Sequence, residues 1–152
     1  MVFEILPPDT GLAFPAMREL RTELANCEAF VKQVDELQRP EGYRLIGVMP
    51  RDGEADVAAV AAVAGFRRAT SLSWGRHLYV DDLSTVLSAR GQGLAGQLLA
   101  WIHREAERLD CHEVHLDSGV GPNRYSAHRL YLNSGYVINA HHFIRQDSLR
   151  GR

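Results

Sequence analysis

Apolar residues recur mostly at spacings of three and four from Ala13 to about Leu37, at Met17, Leu20, Leu24, Phe30, Val34 and Leu37. That is the repeat one face of a helix produces. Before it, "VFEIL" reads as a short strand ended by "PPDTG", and after it "RPEG" stops the helical region. "YRLIGVM", the turn "PRDGEA" and "DVAAVAAVAGF" then read as a hairpin. The alanines of the second arm would also suit a helix; its recurring valines and the tight turn before it favour a strand. "RHLYVDDLSTVL" is a further strand by its β-branched and aromatic content.

Beyond that strand the period changes again. Leu94, Leu98, Ile102, Ala106 and Leu109 form one stripe of a helix that ends near Asp110, and "HEVHLDSG" returns as a strand. Pro122 suits the first turn of a helix through "RYSAHRLYLN", with Gly135 placed as its left-handed closing residue. "YVIN" and "HHFIR" are expected as two last strands. The order is β-α-α-β-β-β-α-β-α-β-β, an α+β arrangement around a mixed sheet. No repeat or linker divides it, so residues 1–152 are expected to form a single domain.

Composition removes several classes of function. With 17 basic and 19 acidic residues the net charge is −2, which gives no general attraction to nucleic acid. Cys27 and Cys111 stand far apart, without disulfide or zinc spacing, and a cytoplasmic setting is expected. Glu4, Pro7, Pro8 and Asp9 interrupt any secretory leader, and "ADVAAVAAVAGF" is too short to span a membrane. His112 and His115 face opposite ways on a strand, while His141 and His142 are adjacent, so no metal site is expected.

Between the fourth strand and the third helix stands "SARGQGLAGQLLAWI", in which Gly91, Gly93 and Gly96 spell G-x-G-x-x-G. A strand-to-helix turn leaves backbone N–H groups unpaired at the positive end of the helix dipole. Glycines there clear the approach for a phosphate. No Gly-Lys-Ser/Thr follows, so this is not a P-loop. A dinucleotide fold would carry such a loop in its first βα unit, with further βαβ units downstream. Here Asp117 comes near the place of the acid, yet too little chain follows.

"LYVDDLSTVLSARGQGLAGQLL" resembles the central motif of the GNAT superfamily of acyl-CoA-dependent N-acyltransferases, Arg/Gln-x-x-Gly-x-Gly/Ala, through Arg90, Gly93 and Ala95. "AHRLYLNSGYVI" resembles the family's second motif through Ala127, Leu130, Tyr131, Gly135 and Tyr136. The resemblance implies a GNAT-like fold whose splayed strand pair binds acetyl-CoA. It assigns the pyrophosphate to backbone N–H groups around Arg90, Gly91, Gln92, Gly93, Leu94 and Ala95, and the pantetheine arm to the backbone of Leu83, Ser84 and Thr85 as an added strand. Where the family often has an asparagine, this chain has Arg124, with Asn123 one residue earlier.

The implied reaction is acetyl transfer to a primary amine of a small molecule or protein. Tyr131 matches the family tyrosine that faces the coenzyme sulfur, and a phenol can protonate a thiolate. A strand N–H near Leu83 or Ser84 would serve the oxyanion. Asp81 and Asp82 are the candidates for the base. As adjacent strand residues, at most one of them faces the cleft, and Asp82 ranks ahead. His142 could line the acceptor pocket, while Glu19, Glu23, Glu28, Asp35 and Glu36 suggest a cationic amine. The expected partners are the amine and, as an assembly, a second copy in a homodimer, with neither nucleic acid nor membrane. A non-catalytic acyl-CoA-binding or regulatory module is the alternative.

Overall fold

The computed structural model describes residues 1–50 and 59–146. The strands are β1 (Val2–Glu4), β2 (Tyr43–Val48), β3 (Ala62–Ser71), β4 (Gly75–Thr85) and β5 (Glu113–Leu116). The helices are α1 (Phe14–Leu20), α2 (Cys27–Lys32), α3 (Leu94–Arg108) and α4 (Tyr125–Asn133). The chain divides into two compact units, Met1–Leu116 and Asp117–Arg152.

In the first unit the sheet runs β1-β2-β3-β4-β5; its first three pairings are antiparallel and β4 pairs with β5 in parallel. One face packs Ile46, Ala64, Phe66, Leu78 and Val80 against Leu94, Leu98 and Ile102 of α3. The other packs Tyr43, Leu45 and Val63 against Ala16 and Met17 of α1 and Phe30 of α2. The α3 stripe read from the sequence is thus the stripe that is buried, with Leu109 at its edge. The earlier stripe holds at Met17, Phe30 and Val34 but fails at Leu37, which is 63% exposed. From Gln33 to Gln38 the helix widens into a π-helix, and the extra residue per turn carries Leu37 off the buried face.

The hairpin expected from "YRLIGVM" and "DVAAVAAVAGF" is present as the β2–β3 pair, but β3 begins at Ala62 and continues to Ser71. The residues of the expected turn from 51 to 55 lie outside those described. β3 extends because it forms a second hairpin with β4, paired to the end at Ser71↔Gly75.

The second unit, described by itself, holds α4 after a 3₁₀ turn at Pro122–Arg124. Gly135 closes α4 at φ 88°, as expected. The strands expected at "YVIN" and "HHFIR" are not formed: from 136 to 146 the backbone is neither helix nor strand. Only Ala140 separates them, which is one residue fewer than the shortest common hairpin loop. Their apolar side chains at Val137, Ile138, Phe143 and Ile144 are exposed.

Candidate functional site

The β4–β5 ladder begins at His77↔Glu113 and ends at Val80↔Leu116. β4 continues to Thr85, paired with β3 on one edge only. Among the described residues no strand pairs with residues 81–85, which include Leu83, Ser84 and Thr85, on the β5 side of β4, where the resemblance implies a splayed pair. An extended ligand could add to that edge as a strand does.

Five residues past β4 lies the glycine loop. Gly91 and Gly93 both hold left-handed backbone, at φ 79° and 77°, and a Cβ at either would meet nothing within 4 Å. The glycines are required by the backbone angle, and the loop is open on the side a ligand would approach. Gly93 is the N-cap of α3 and offers no side chain to the helix. The N–H groups of the first turn, Leu94 and Ala95 among them, therefore keep no side-chain partner at the cap, at the positive end of a helix of 15 residues. Arg90 is half exposed; its Nε donates to the Thr85 carbonyl at 3.3 Å and its Nη2 lies 3.6 Å from Glu19. The loop fits an anionic group, and Arg90 has only weak, solvent-facing ties to give up for one.

Between Val80 and Asp82 the register of β4 against β3 slips: Phe66 faces Val80, Gly65 faces Asp82, and Asp81 is the extra residue of a β-bulge. The slip turns both aspartates to the face of Tyr43 and Arg67, so the alternation expected of adjacent strand residues does not hold at Asp81 and Asp82. The Asp81 carboxylate receives two hydrogen bonds from Arg67, at 2.8 and 2.7 Å. Asp82 is buried; Tyr43 Oη donates to its Oδ2 at 2.7 Å and Arg21 Nε to its Oδ1 at 2.8 Å. Arg21 also donates from Nη2 to the Asp81 carbonyl. Burial first, and the Asp82 charge second, push the Tyr43 phenol well above its ordinary value, so it stays a donor.

Tyr131 lies in the second unit, 8% exposed, on the last turn of α4. The helix ends in a Schellman closure: Gly135 N–H donates to the Leu132 carbonyl and Tyr136 N–H to the Tyr131 carbonyl. The rings of Tyr131 and Tyr136 meet edge to face at 6.0 Å. The Gly-Tyr pair after the helix thus fixes the backbone and ring of Tyr131. Burial raises its phenol above the ordinary range, against a smaller opposing effect of Arg124. Asn123 is exposed, and Ser118 Oγ is buried without a hydrogen-bond partner among the described residues.

Other expectations resolve differently. Asp35 accepts from Thr10 and Arg39, and so is used within the fold. His115 bonds Glu113 and stacks on Trp74 at 3.9 Å; His142 lies 4.0 Å from Asp117. Among the described residues no group of three His, Cys, Asp or Glu converges on a metal position, and no helix is long and apolar enough to cross a membrane. Arg21, Tyr43, Gly65 and Arg67 were missed by sequence reasoning. The one signal for them was a glycine inside a strand pattern, in "AVAGFRR", which marks a bulge or a close approach.

A free strand edge, a glycine cradle and an uncapped helix start have the form of a site for an extended, anionic ligand. The model of the Acetyltransferase (GNAT) family matches residues 10–136, and the chain belongs to that family. It is an acetyltransferase, of a family that uses acetyl-CoA. It is 30% identical over 132 residues to the Uncharacterized N-acetyltransferase YhdJ of Bacillus subtilis (strain 168), covering 86% of this chain and 87% of the relative. The fold is shared with a transcriptional regulator from Bacillus halodurans C-125, at TM-score 0.77 and 17% identity over 97% of this chain and 99% of the other. A GNAT family acetyltransferase from Staphylococcus aureus subsp. aureus USA300_TCH1516 follows it at TM-score 0.74 and 16% identity, over 96% and 97%.

Proposed function

We propose that this chain, as a single domain over residues 1–152, transfers the acetyl group of acetyl-CoA directly to a primary amine of a small molecule or protein. The observation that carries the reading is the open Gly91–Gly93 cradle at the start of α3, reached along the free edge of β4. Bound acetyl-CoA supplies an activated thioester. Backbone N–H groups from Arg90, Gly91, Gln92, Gly93, Leu94 and Ala95 would hold its pyrophosphate. Leu83, Ser84 and Thr85 would pair with its pantetheine amides, which requires Arg90 to release the Thr85 carbonyl and turn to the phosphates.

A strand N–H near Leu83 or Ser84 would polarise the acetyl carbonyl. Tyr131 is assigned the proton for the departing sulfur; burial keeps its phenol protonated, though the raised pKa makes it a weaker acid. Asp82, expected as the base, has donors on both oxygens. We therefore give it the part of an anchored anion, with the ammonium proton leaving through water. The acceptor is proposed to be cationic. Asp81 and Asp82 put two carboxylates at the bulge, and the charges of Glu23 and Glu41 reach Arg21 and Arg67 there.

The test is release of CoA thiol from acetyl-CoA across a panel of cationic, neutral and anionic amines. Turnover is expected with cationic amines. Turnover confined to neutral or anionic ones would refute the acceptor class, and binding of acetyl-CoA without turnover on any amine would favour the non-catalytic module.

A further inference from the structure

Three elements converge on the bulge of β4 in a way the acetyl-transfer reading leaves unused. Tyr43, on β2, is 3% exposed, and its hydroxyl crosses the whole of β3 to reach Asp82 on β4. The crossing is possible only because Gly65 lies in its path. A Cβ there would stand 1.7 Å from Tyr43 Oη and 2.2 Å from Cζ. From the opposite side Arg21, the residue that ends α1, holds the other oxygen of Asp82 and the carbonyl of Asp81. Asp81 itself is clamped by Arg67.

The bulge is also the point where β4 leaves β5, since Val80 is the last residue paired with that strand. Everything beyond it forms the free edge. A bulge re-aims the strand that follows by bending and twisting it. This one is fixed by side chains from β2, β3 and α1, not by a neighbouring strand on the β5 side.

We propose that Tyr43 is a positioning residue for acetyl transfer: through Asp82, and with Arg21 on the other oxygen, it locks the bulge and so sets the aim of the one strand N–H, at Leu83 or Ser84, that faces the free edge. Gly65 is the residue that lets it do so. The inference rests on the acetyl-CoA reading of the β4 edge. Asp82 acts here as the anchor point, and its carboxylate moves no proton.

The experiment compares wild type with Tyr43→Phe, Asp82→Asn and the double variant. Circular dichroism checks the fold and calorimetry gives the acetyl-CoA Kd. The probe is [1-¹³C]acetyl-CoA, whose bound carbonyl band is read by isotope-edited infrared spectroscopy, a readout that needs no acceptor amine. Wild type is expected to displace the band from its free position. Tyr43→Phe should bring it most of the way back and broaden it, with little change in Kd. On an accepted amine kcat should fall about 10- to 100-fold with the acetyl-CoA KM nearly unchanged. The double variant should be no worse than Asp82→Asn alone, because Tyr43 acts through that carboxylate.

If Tyr43→Phe does not fold, Arg21→Gln frees the same carboxylate from its half-exposed side and should move the band in the same direction. An unchanged band in a folded variant, or additive losses in the double variant, would overturn the proposal. A wild type that fails to bind acetyl-CoA would instead overturn the acetyl-CoA reading itself.

Discussion

At Tyr131, proposed as the proton donor to the departing sulfur, the phenol is buried and held by a helix closure, and burial raises its pKa, which keeps it protonated while weakening it as an acid. Tyr131→Phe keeps the ring against Tyr136 and removes only the donor. We expect kcat to fall toward the low end of the roughly 10²–10⁴-fold range of general acid catalysis, with the acetyl-CoA KM little changed. The raised pKa fixes the sign of the pH dependence. The protonated form persists through neutral pH, so any loss of kcat owed to Tyr131 begins only above its ordinary value of 10.0. Full kcat in the variant across the pH profile would leave Tyr131 a packing residue. Alanine at φ 77° meets open space but disfavoured backbone, so Gly93→Ala should cost about 1–2 kcal/mol in chemical denaturation. An unaltered stability would mean that the loop relaxes without penalty.

Among the elements, the strand-loop-helix unit from β4 to α3 was legible in the sequence because each part obeys a local rule. The glycines mark left-handed turns, and the Leu94–Leu98–Ile102 stripe marks the buried face. What escaped depends on contacts distant in sequence. Nothing local to Asp81 and Asp82 reveals that Gly65, Tyr43 and Arg21 will meet them across three elements. The closing strands did not form although "YVIN" and "HHFIR" have β-propensity, because one residue between them is too short a loop to pair them as a hairpin. For the loop, Arg90→Glu reverses a half-exposed charge whose ties among the described residues are to Glu19 and Thr85. The fold should stand by circular dichroism while the calorimetric Kd for CoA rises at least about tenfold, the scale of one lost charge-assisted hydrogen bond. An unchanged Kd would remove Arg90 from the site.

For the molecule as a whole, the first unit is stapled on the side away from Tyr43 by Arg44, which bonds Glu4 and Glu105 and lies over the rings of Phe66 and Trp101. Glu105 also holds Arg108, and hydrogen bonds from Arg108 first and Arg44 next lower its pKa from 4.5 to about 2. A depressed carboxyl contributes stability that is full above its unfolded pKa and is lost as pH falls through the folded one. Glu105→Gln should therefore lower stability at pH 7 by about 2 kcal/mol, with the gap to wild type closing between pH 4.5 and 2. A gap that persists at pH 2 would point to packing instead of charge.

Whether the glycine cradle and the free edge of β4 take acetyl-CoA is decided by thermal denaturation of the protein with acetyl-CoA, CoA or NAD. At about 100 times its dissociation constant a ligand of the folded state adds roughly 2.7 kcal/mol of apparent stability. A rise in melting temperature with acetyl-CoA and CoA, and none with NAD, is the expected result. Stabilisation by NAD with none by either coenzyme A species would contradict the account.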